Sequence, residues 1–212
     1  MQKRVIVVGG GLAGLAAAVA IADAGVPVLL LESRPRLGGR ASSFVDQTTG
    51  ELIDNCQHVA MGCCTNLRDF SDRLGLADLL RTESSLTFIG PEGQQSRFAA
   101  RRLPAPLHLT GAFAKLRFLT WSEKFSLARA LRALARDSHA TDRSFADWLR
   151  EHGQTQRLQE RFWSVVLVSA LSETLDRIDV AYARKVFVDG FMTHRDGWTV
   201  QIPQAPLDEL YG

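Results

Sequence analysis

The sequence predicts an α/β fold: a Rossmann-like domain with a βαβ opening and an incomplete sheet, followed by a largely helical portion. Three observations carry this. A β-branched run, Val5 to Val8, leads into Gly9, Gly10 and Gly11. An alanine- and leucine-rich stretch, Leu12 to Ala24, follows and meets Gly25. A second apolar run, Val28 to Leu31, then closes on Glu32. Continuous apolar runs of this length are the pattern of parallel strands buried on both faces, joined by a right-handed crossover. The residues between them favour helix, and Gly25 stands where a glycine commonly ends one.

The elements beyond Glu32 follow from local signals. Ser33 to Ser43 is polar, basic and glycine-bearing, and reads as a loop. Phe44 to Asp46 and Leu52 to Asp54 flank Thr48-Thr49-Gly50 and predict a hairpin. Asn66 to Leu74, ended by Gly75, predicts a helix. Leu86 to Ile89 and Ser96 to Phe98, around Gly90-Pro91-Glu92-Gly93, predict a second hairpin. From Leu109 the pattern is mainly helical. Thr120 and Glu123 form a capping box for a helix through Ala135. Ser144 caps another that ends before Gly153, and Gln156 to Ala170 and Val180 to Phe191 are further helices. Trp198 to Ile202 reads as a strand, and Pro206 to Gly212 as the start of a helix. Only two strands of a doubly wound sheet are evident, where about five are usual. The expectation is therefore the N-terminal half of a larger protein. Residues 1–85 would form part of the dinucleotide-binding domain, and 86–212 part of a substrate- and membrane-facing domain whose remainder, with the C-terminal half, is missing.

Composition narrows the function classes. Among 212 residues, 46% are hydrophobic and 23% charged, which excludes disordered and low-complexity chains. A net charge of +2 gives no footprint for nucleic acid. Cys56, Cys63 and Cys64 offer neither a disulfide framework nor zinc-ligand spacing, so no metal is expected and a reduced, cytoplasmic setting fits. No secretory h-region is evident at the start, and the longest apolar run, Phe162 to Leu171, is about half the ~20 residues of a membrane span.

The chemistry lies in the first 40 residues. Gly9-x-Gly11-x-x-Gly14 follows a strand, opens a helix and precedes Glu32 at the end of the next strand. Gly9 permits the tight turn, Gly11 the approach of a pyrophosphate, and Gly14 close packing of helix on strand. The helix N-terminus, through Leu12 and Ala13, offers free N–H groups to phosphate. Glu32 is placed to accept from ribose hydroxyls and would repel a 2′-phosphate, which argues against NADP. FAD and NAD remain. Gly38, Gly39 and Arg40 supply a second backbone approach and a guanidinium for the pyrophosphate, which favours FAD. Gln57 and His58 are polar candidates near a flavin, and His58 has the chemistry of an acid or donor. Asp54 is either a site residue or a turn cap. Cys63 and Cys64 read as small core residues, and Phe162, Trp163 and Phe191 as core or tunnel lining.

Gly9 to Gly14, Glu32 and Arg34 to Arg40 together resemble the flavin-binding start of the FAD-dependent amine oxidase and phytoene desaturase superfamily. More narrowly, Asp54-Asn55-Cys56-Gln57-His58 with Gly62 is similar to the hydroxysqualene dehydroxylases of hopanoid biosynthesis. So are Leu103 to Leu107, Phe145 to Leu149, Phe162-Trp163 and Pro206 to Tyr211. Two positions depart: Cys56 replaces a frequent glycine, and Ser172 stands where asparagine often precedes the glutamate. The resemblance implies an FAD-dependent oxidoreductase acting on a lipid-like polyisoprenoid by reductive dehydroxylation of hydroxysqualene to squalene. The alternatives are a carotenoid or phytoene-type desaturase, an amine oxidase, an NAD-dependent dehydrogenase, and a non-catalytic split-subunit fragment.

One stretch points to a membrane. From Arg97 to Arg136 nine basic residues stand with one acid, Glu123, giving +9 − 1 = +8 and leaving +2 − 8 = −6 elsewhere. Interleaved leucines and aromatics make it basic and amphipathic, the composition of a peripheral contact with an anionic inner membrane face.

Overall fold

A computed structural model describes residues 4–56, 59–137 and 143–212. The chain divides into two units: 1–60, 64–82 and 201–212 form the first, and 61–63 with 83–200 the second. The expected division at residue 85 is thus corrected at the C-terminal end. Residues 201–212 return to the first unit because Leu207, Leu210 and Tyr211 bury themselves with Ala41 and Phe70.

In the first unit, Val5–Val8 (β1) pairs in parallel with Val28–Leu31 (β2), Val5 opposite Val28 and Val8 opposite Leu31. Leu12–Asp23 (α1) crosses between them and ends at Gly25, whose φ of 73° requires glycine. The expectation that both strands are buried is overturned: Val8 is 82% exposed, Ile6 57%, and α1 has no buried residue. Among the described residues each strand has one partner, and much of its apolar surface is exposed. Ser43–Val45 (β3) and Leu52–Asp54 (β4) form the first hairpin. Ala60–Met61 (β5), Leu80–Glu83 (β6) and Val200–Pro203 (β9) make a sheet in the order β5-β9-β6. Of these only β9 had a sequence signal. Thr65–Arg73 (α2) lies between, tied to α1 by Arg73 and Asp23 at 2.8 Å. Cys64 stands at the N-cap position of α2, makes no capping hydrogen bond and is exposed, while Cys63 is half-buried, so the expectation that both are core residues is corrected.

The second unit begins with the hairpin Leu86–Ile89 (β7) and Gln95–Phe98 (β8). Five helical segments follow in order: Thr110–Ala114 (α3), Trp121–Arg136 (α4), Phe145–Glu151 (α5), Gln156–Leu158 (α6) and Ser164–Leu171 (α7). A π-helical turn, Gln159–Trp163, joins α6 to α7, and Val180–Arg184 (α8) runs into a second one, Lys185–Met192. Both arms of the Thr120–Glu123 capping box form, and Ser144 accepts from the Asp147 N–H to cap α5. The core is aromatic. Phe145 stacks on Trp148, and Trp163 meets Phe145, Phe162 and Phe187 edge-on. Phe162 and Trp163 are 3% and 0% exposed, so they are core residues, not tunnel lining. The indole N–H groups are satisfied: Trp163 donates to Gln154 at 3.1 Å and Trp148 to Asp137 at 2.9 Å.

Two residues of this unit carry conformational or electrostatic cost. Ser172 ends α7 in the left-handed region, φ 54°, which asparagine and glycine adopt more readily. Ser172→Asn is expected to raise stability by about 0.5 kcal/mol; an unchanged thermal midpoint would refute this. His108 is fully buried, and among the described residues neither ring nitrogen meets a partner at hydrogen-bond geometry. Burial, then the Arg195 charge, lowers its pKa, outweighing Asp196 and the Pro106 carbonyl. The unfolded chain, with an ordinary value near 6.5, takes up a proton that the folded chain resists, so stability falls as pH drops below about 6.5. His108→Leu is expected to flatten that fall; parallel stability curves for the two proteins would contradict it.

Candidate functional site

The site is built at the β1–α1 turn. Gly9 has φ 104°, open only to glycine, and its N–H donates to the Leu31 carbonyl at 2.7 Å, locking the turn to β2. Gly11 is the N-cap of α1 and has no side chain to cap it, so the N–H groups of Leu12, Ala13 and Gly14 stay available. No acidic residue stands in the first turn to compete for an anion. Gly14 is the tightest position: an added Cβ would lie 1.9 Å from the Gly9 carbonyl oxygen.

The second glycine loop locks onto the first. Gly38 donates to the Gly10 carbonyl at 2.9 Å, and Gly11 and Gly38 form a parallel β-bridge. Gly38 and Gly39 have φ of 81° and 64°. A Cβ on Gly39 would reach 3.0 Å from the Gly11 Cα. Glycine is needed here because two backbones approach each other, leaving a side-chain-free concavity over a helix N-terminus.

Glu32 is oriented by the backbone. Its Oε2 accepts from Gly10 N–H at 2.7 Å, and its Oε1 from Arg34 N–H at 2.9 Å and Ser33 Oγ at 3.1 Å. The Gly10 hydrogen bond, then those of Arg34 and Ser33, lower its pKa to about 2. The group is thus a fixed carboxylate with acceptor capacity to spare for a ribose diol. Glu32, Arg34, Arg36, Leu37, Gly39 and Arg40 line a cavity of about 210 Å³ beside it.

The structure therefore brings together Gly9, Gly11, Leu12, Ala13, Gly14, Glu32, Gly38, Gly39 and Arg40. Gln57 and His58 lie outside the described residues. Asp54 is structural: its Oδ1 accepts from Ser43 Oγ at 2.7 Å and from the Leu207 N–H at 3.0 Å. Sequence reasoning missed the buttress beneath the second loop. Leu207–Tyr211 (α9) places Tyr211 where a Cβ on Gly38 would stand 3.4 Å from it. Asp208 accepts from Ser43 N–H at 2.9 Å, and its own N–H donates to Ser43 Oγ at 3.1 Å. No local pattern signals contacts 165 residues apart. Among the described residues no cluster of three or more His, Cys, Asp or Glu side chains is placed to hold a metal.

Paired strands, a glycine turn at a helix N-terminus and a carboxylate fixed by the backbone beside it define a dinucleotide-binding protein of Rossmann-like α/β class. Residues 12–191 match the model of the flavin-containing amine oxidoreductases, and the chain belongs to that family; its cofactor is FAD. The cradle fits that group: glycines wherever a Cβ would fill it, free helix N–H groups for a pyrophosphate, and Glu32 for a ribose.

The chain is 34% identical over 178 residues to a probable zeta-carotene desaturase of Synechococcus elongatus, covering 77% of this chain and 37% of that protein. It is 36% identical over 169 residues to the 15-cis-phytoene desaturase of Narcissus pseudonarcissus, covering 74% and 29%. It thus spans about a third of the length of these relatives. In fold it is similar to putrescine oxidase, with TM-score 0.67 at 19% identity over 100% of this chain and 48% of that one. Cyclohexylamine oxidase from Brevibacterium oxydans gives 0.62 at 22% identity, over 100% and 48%. The Synechococcus and Narcissus relatives are carotenoid desaturases, not hydroxysqualene dehydroxylases, and so favour the desaturase alternative.

Proposed function

We propose that this chain is the flavin-binding portion of an FAD-dependent oxidoreductase that desaturates a polyisoprenoid of the carotenoid-precursor class. The interlocked Gly9–Gly14 and Gly38–Gly39 loops with Glu32 between them carry the flavin part of this reading. The similarity to carotenoid desaturases supports the substrate class. Bound FAD supplies a hydride acceptor for an otherwise unactivated hydrocarbon.

The chain's own residues bind and orient. The N–H groups of Leu12 and Ala13 and the dipole of α1 receive pyrophosphate charge. Glu32, held ionised and fixed in direction, selects an unphosphorylated ribose. Arg40 stands at the rim of the adjoining cavity, where a guanidinium attracts phosphate. The uncovered apolar residues of β1 and β2 fit further strands supplied by the rest of the enzyme. The 212-residue chain is accordingly expected to lose FAD on gel filtration.

The test is to load the complete enzyme with FAD and offer it phytoene, zeta-carotene and hydroxysqualene separately. A lengthened polyene chromophore from either carotenoid precursor supports the proposal. Squalene from hydroxysqualene with reduced flavin, and no carotenoid turnover, would replace desaturation with reductive dehydroxylation. Stoichiometric FAD with turnover of none of the three would refute the substrate class.

A further inference from the structure

The basic stretch from Arg97 to Arg136 is continuous in sequence but not in space. Arg129, Arg132 and Arg136 line a cavity of about 440 Å³ that also holds the Glu151 carboxylate. Arg97, Arg101, Lys115, Arg117 and Lys124 line a separate cleft of about 950 Å³ with no carboxylate among its described lining residues. None of these five is in an ion pair among the described residues. The cleft lies within the second unit.

Several of these cations are held in place. Arg97 Nε donates to Ser85 Oγ at 2.7 Å. The Arg101 guanidinium lies over Gly111, where an added Cβ would come 2.8 Å from Nε. Lys124 Nζ donates to the Ala114 carbonyl at 2.7 Å and sits 4.6 Å above the Trp121 ring. The buried Ser96 hydroxyl anchors the backbone of Arg117 at 2.9 Å. Donors remain on every side chain, and five like charges around one concavity repel until an anion joins them. A phosphate, with several acceptor oxygens, meets that geometry.

The rim identifies the source of the phosphate. Trp121 and Phe125, one helical turn apart on α4, are 75% and 74% exposed and flank Lys124. Large aromatics standing in solvent beside a cationic cleft form an amphipathic edge, apolar for acyl chains and basic for headgroups. We propose that this cleft receives the phosphate of an anionic phospholipid while Trp121 and Phe125 enter the acyl boundary. The proposal goes beyond the flavin reading and does not depend on it.

The molecule carries its own reporter. Of its four tryptophans, Trp148, Trp163 and Trp198 are 0%, 0% and 4% exposed, so a blue shift of intrinsic fluorescence on adding vesicles reports Trp121. The experiment adds the protein to vesicles of phosphatidylcholine alone and of phosphatidylcholine with phosphatidylglycerol, at low and high salt. The expected result is a blue shift and co-sedimentation with the anionic vesicles only, weakened by salt. Arg101→Gln with Lys115→Gln is expected to lower partitioning about 25-fold, and Arg129→Gln with Arg132→Gln by less than about twofold. Trp121→Ser with Phe125→Ser should lower it as well, with far-UV circular dichroism of all variants unchanged. Equal binding to both vesicle types, or an equal loss in the two basic variants, would overturn the proposal. So would tight binding of inorganic phosphate that abolishes sedimentation yet is indifferent to Trp121 and Phe125, which assigns the cleft to a soluble anion. If a variant unfolds, the salt dependence and blue shift of the unsubstituted protein still decide between these outcomes.

Discussion

Gly14→Ala is expected to abolish FAD binding by dismantling the first glycine turn, because the added methyl group collides with the Gly9 backbone. Its Cβ would lie 1.9 Å from the Gly9 carbonyl oxygen and 3.0 Å from the Gly9 carbonyl carbon. Both are backbone atoms, so no side-chain rotation relieves the clash, and α1 must move away from β1. Overpacking against flexible neighbours costs about 1–3 kcal/mol; against fixed backbone we expect at least the upper end of that range. Gly11 supplies the contrast. A Cβ there meets only the Gly39 Cα, at 3.9 Å, and Gly11 has extended φ of −74°. Gly11→Asp is therefore expected to leave the thermal midpoint within a few degrees while its carboxylate repels the pyrophosphate and eliminates bound FAD. Flavin absorbance per mole of purified enzyme and thermal denaturation separate the two. Stoichiometric flavin in Gly11→Asp would sink the cofactor site, and an unchanged midpoint in Gly14→Ala would sink its packing role.

Arg157→Leu is expected to cost about 2 kcal/mol near neutral pH, and much less in acid. Glu123 sits at the start of α4 with its side chain 11% exposed, and Arg157 hydrogen-bonds its Oε1. Its Oε2 accepts from the Thr120 N–H at 2.8 Å and the Thr120 hydroxyl at 3.0 Å. Burial raises the Glu123 pKa, but the Arg157 hydrogen bond, joined by those of Thr120, prevails and holds the group below its ordinary value. Breaking a fully buried ion pair costs about 3–5 kcal/mol; Arg157 is 43% exposed, and solvent screening brings the expected cost below that range, to about 2 kcal/mol. A depressed carboxyl pKa contributes stability above the unfolded value, about 4.5, that is lost as pH falls through the folded one. Without Arg157, burial meets only the Thr120 hydrogen bonds, and that acid-sensitive contribution shrinks or reverses. The gap between the two proteins should therefore be widest near pH 7 and narrow towards pH 4. Urea denaturation at the two values checks this. A gap independent of pH would show that Arg157 does not control the Glu123 charge.

The βαβ opening was legible because strand, glycine turn, helix and carboxylate are consecutive, and each rests on local backbone chemistry. Within that opening and the loop after it, glycine stands at every positive φ, at Gly9, Gly25, Gly38 and Gly39, and hydrogen bonds to Gly9, Gly10 and Gly11 span about one supersecondary unit. The capping box at Thr120 and Glu123 was legible for the same reason. Other features depended on contacts that no window of sequence contains. Strands β5 and β6 are two and four residues long and are defined by their sheet partners, not by periodicity. Asp54 could be read as a site residue or a cap until Leu207, 153 residues away, donated to it.

By itself the sequence determined the paired glycine loops, Gly9 to Gly14 and Gly38–Gly39, with Glu32 beside them, because short-range backbone geometry dictates residue type there. Only the tertiary structure decided that α9 returns beneath Gly38, since burying Leu207, Leu210 and Tyr211 against Phe70 and Ala41 is a long-range gain. Only it separated the basic residues into two clefts. Charge is counted along the chain, but the electrostatic field depends on distances through space, and α4 and the β7–β8 hairpin set those distances.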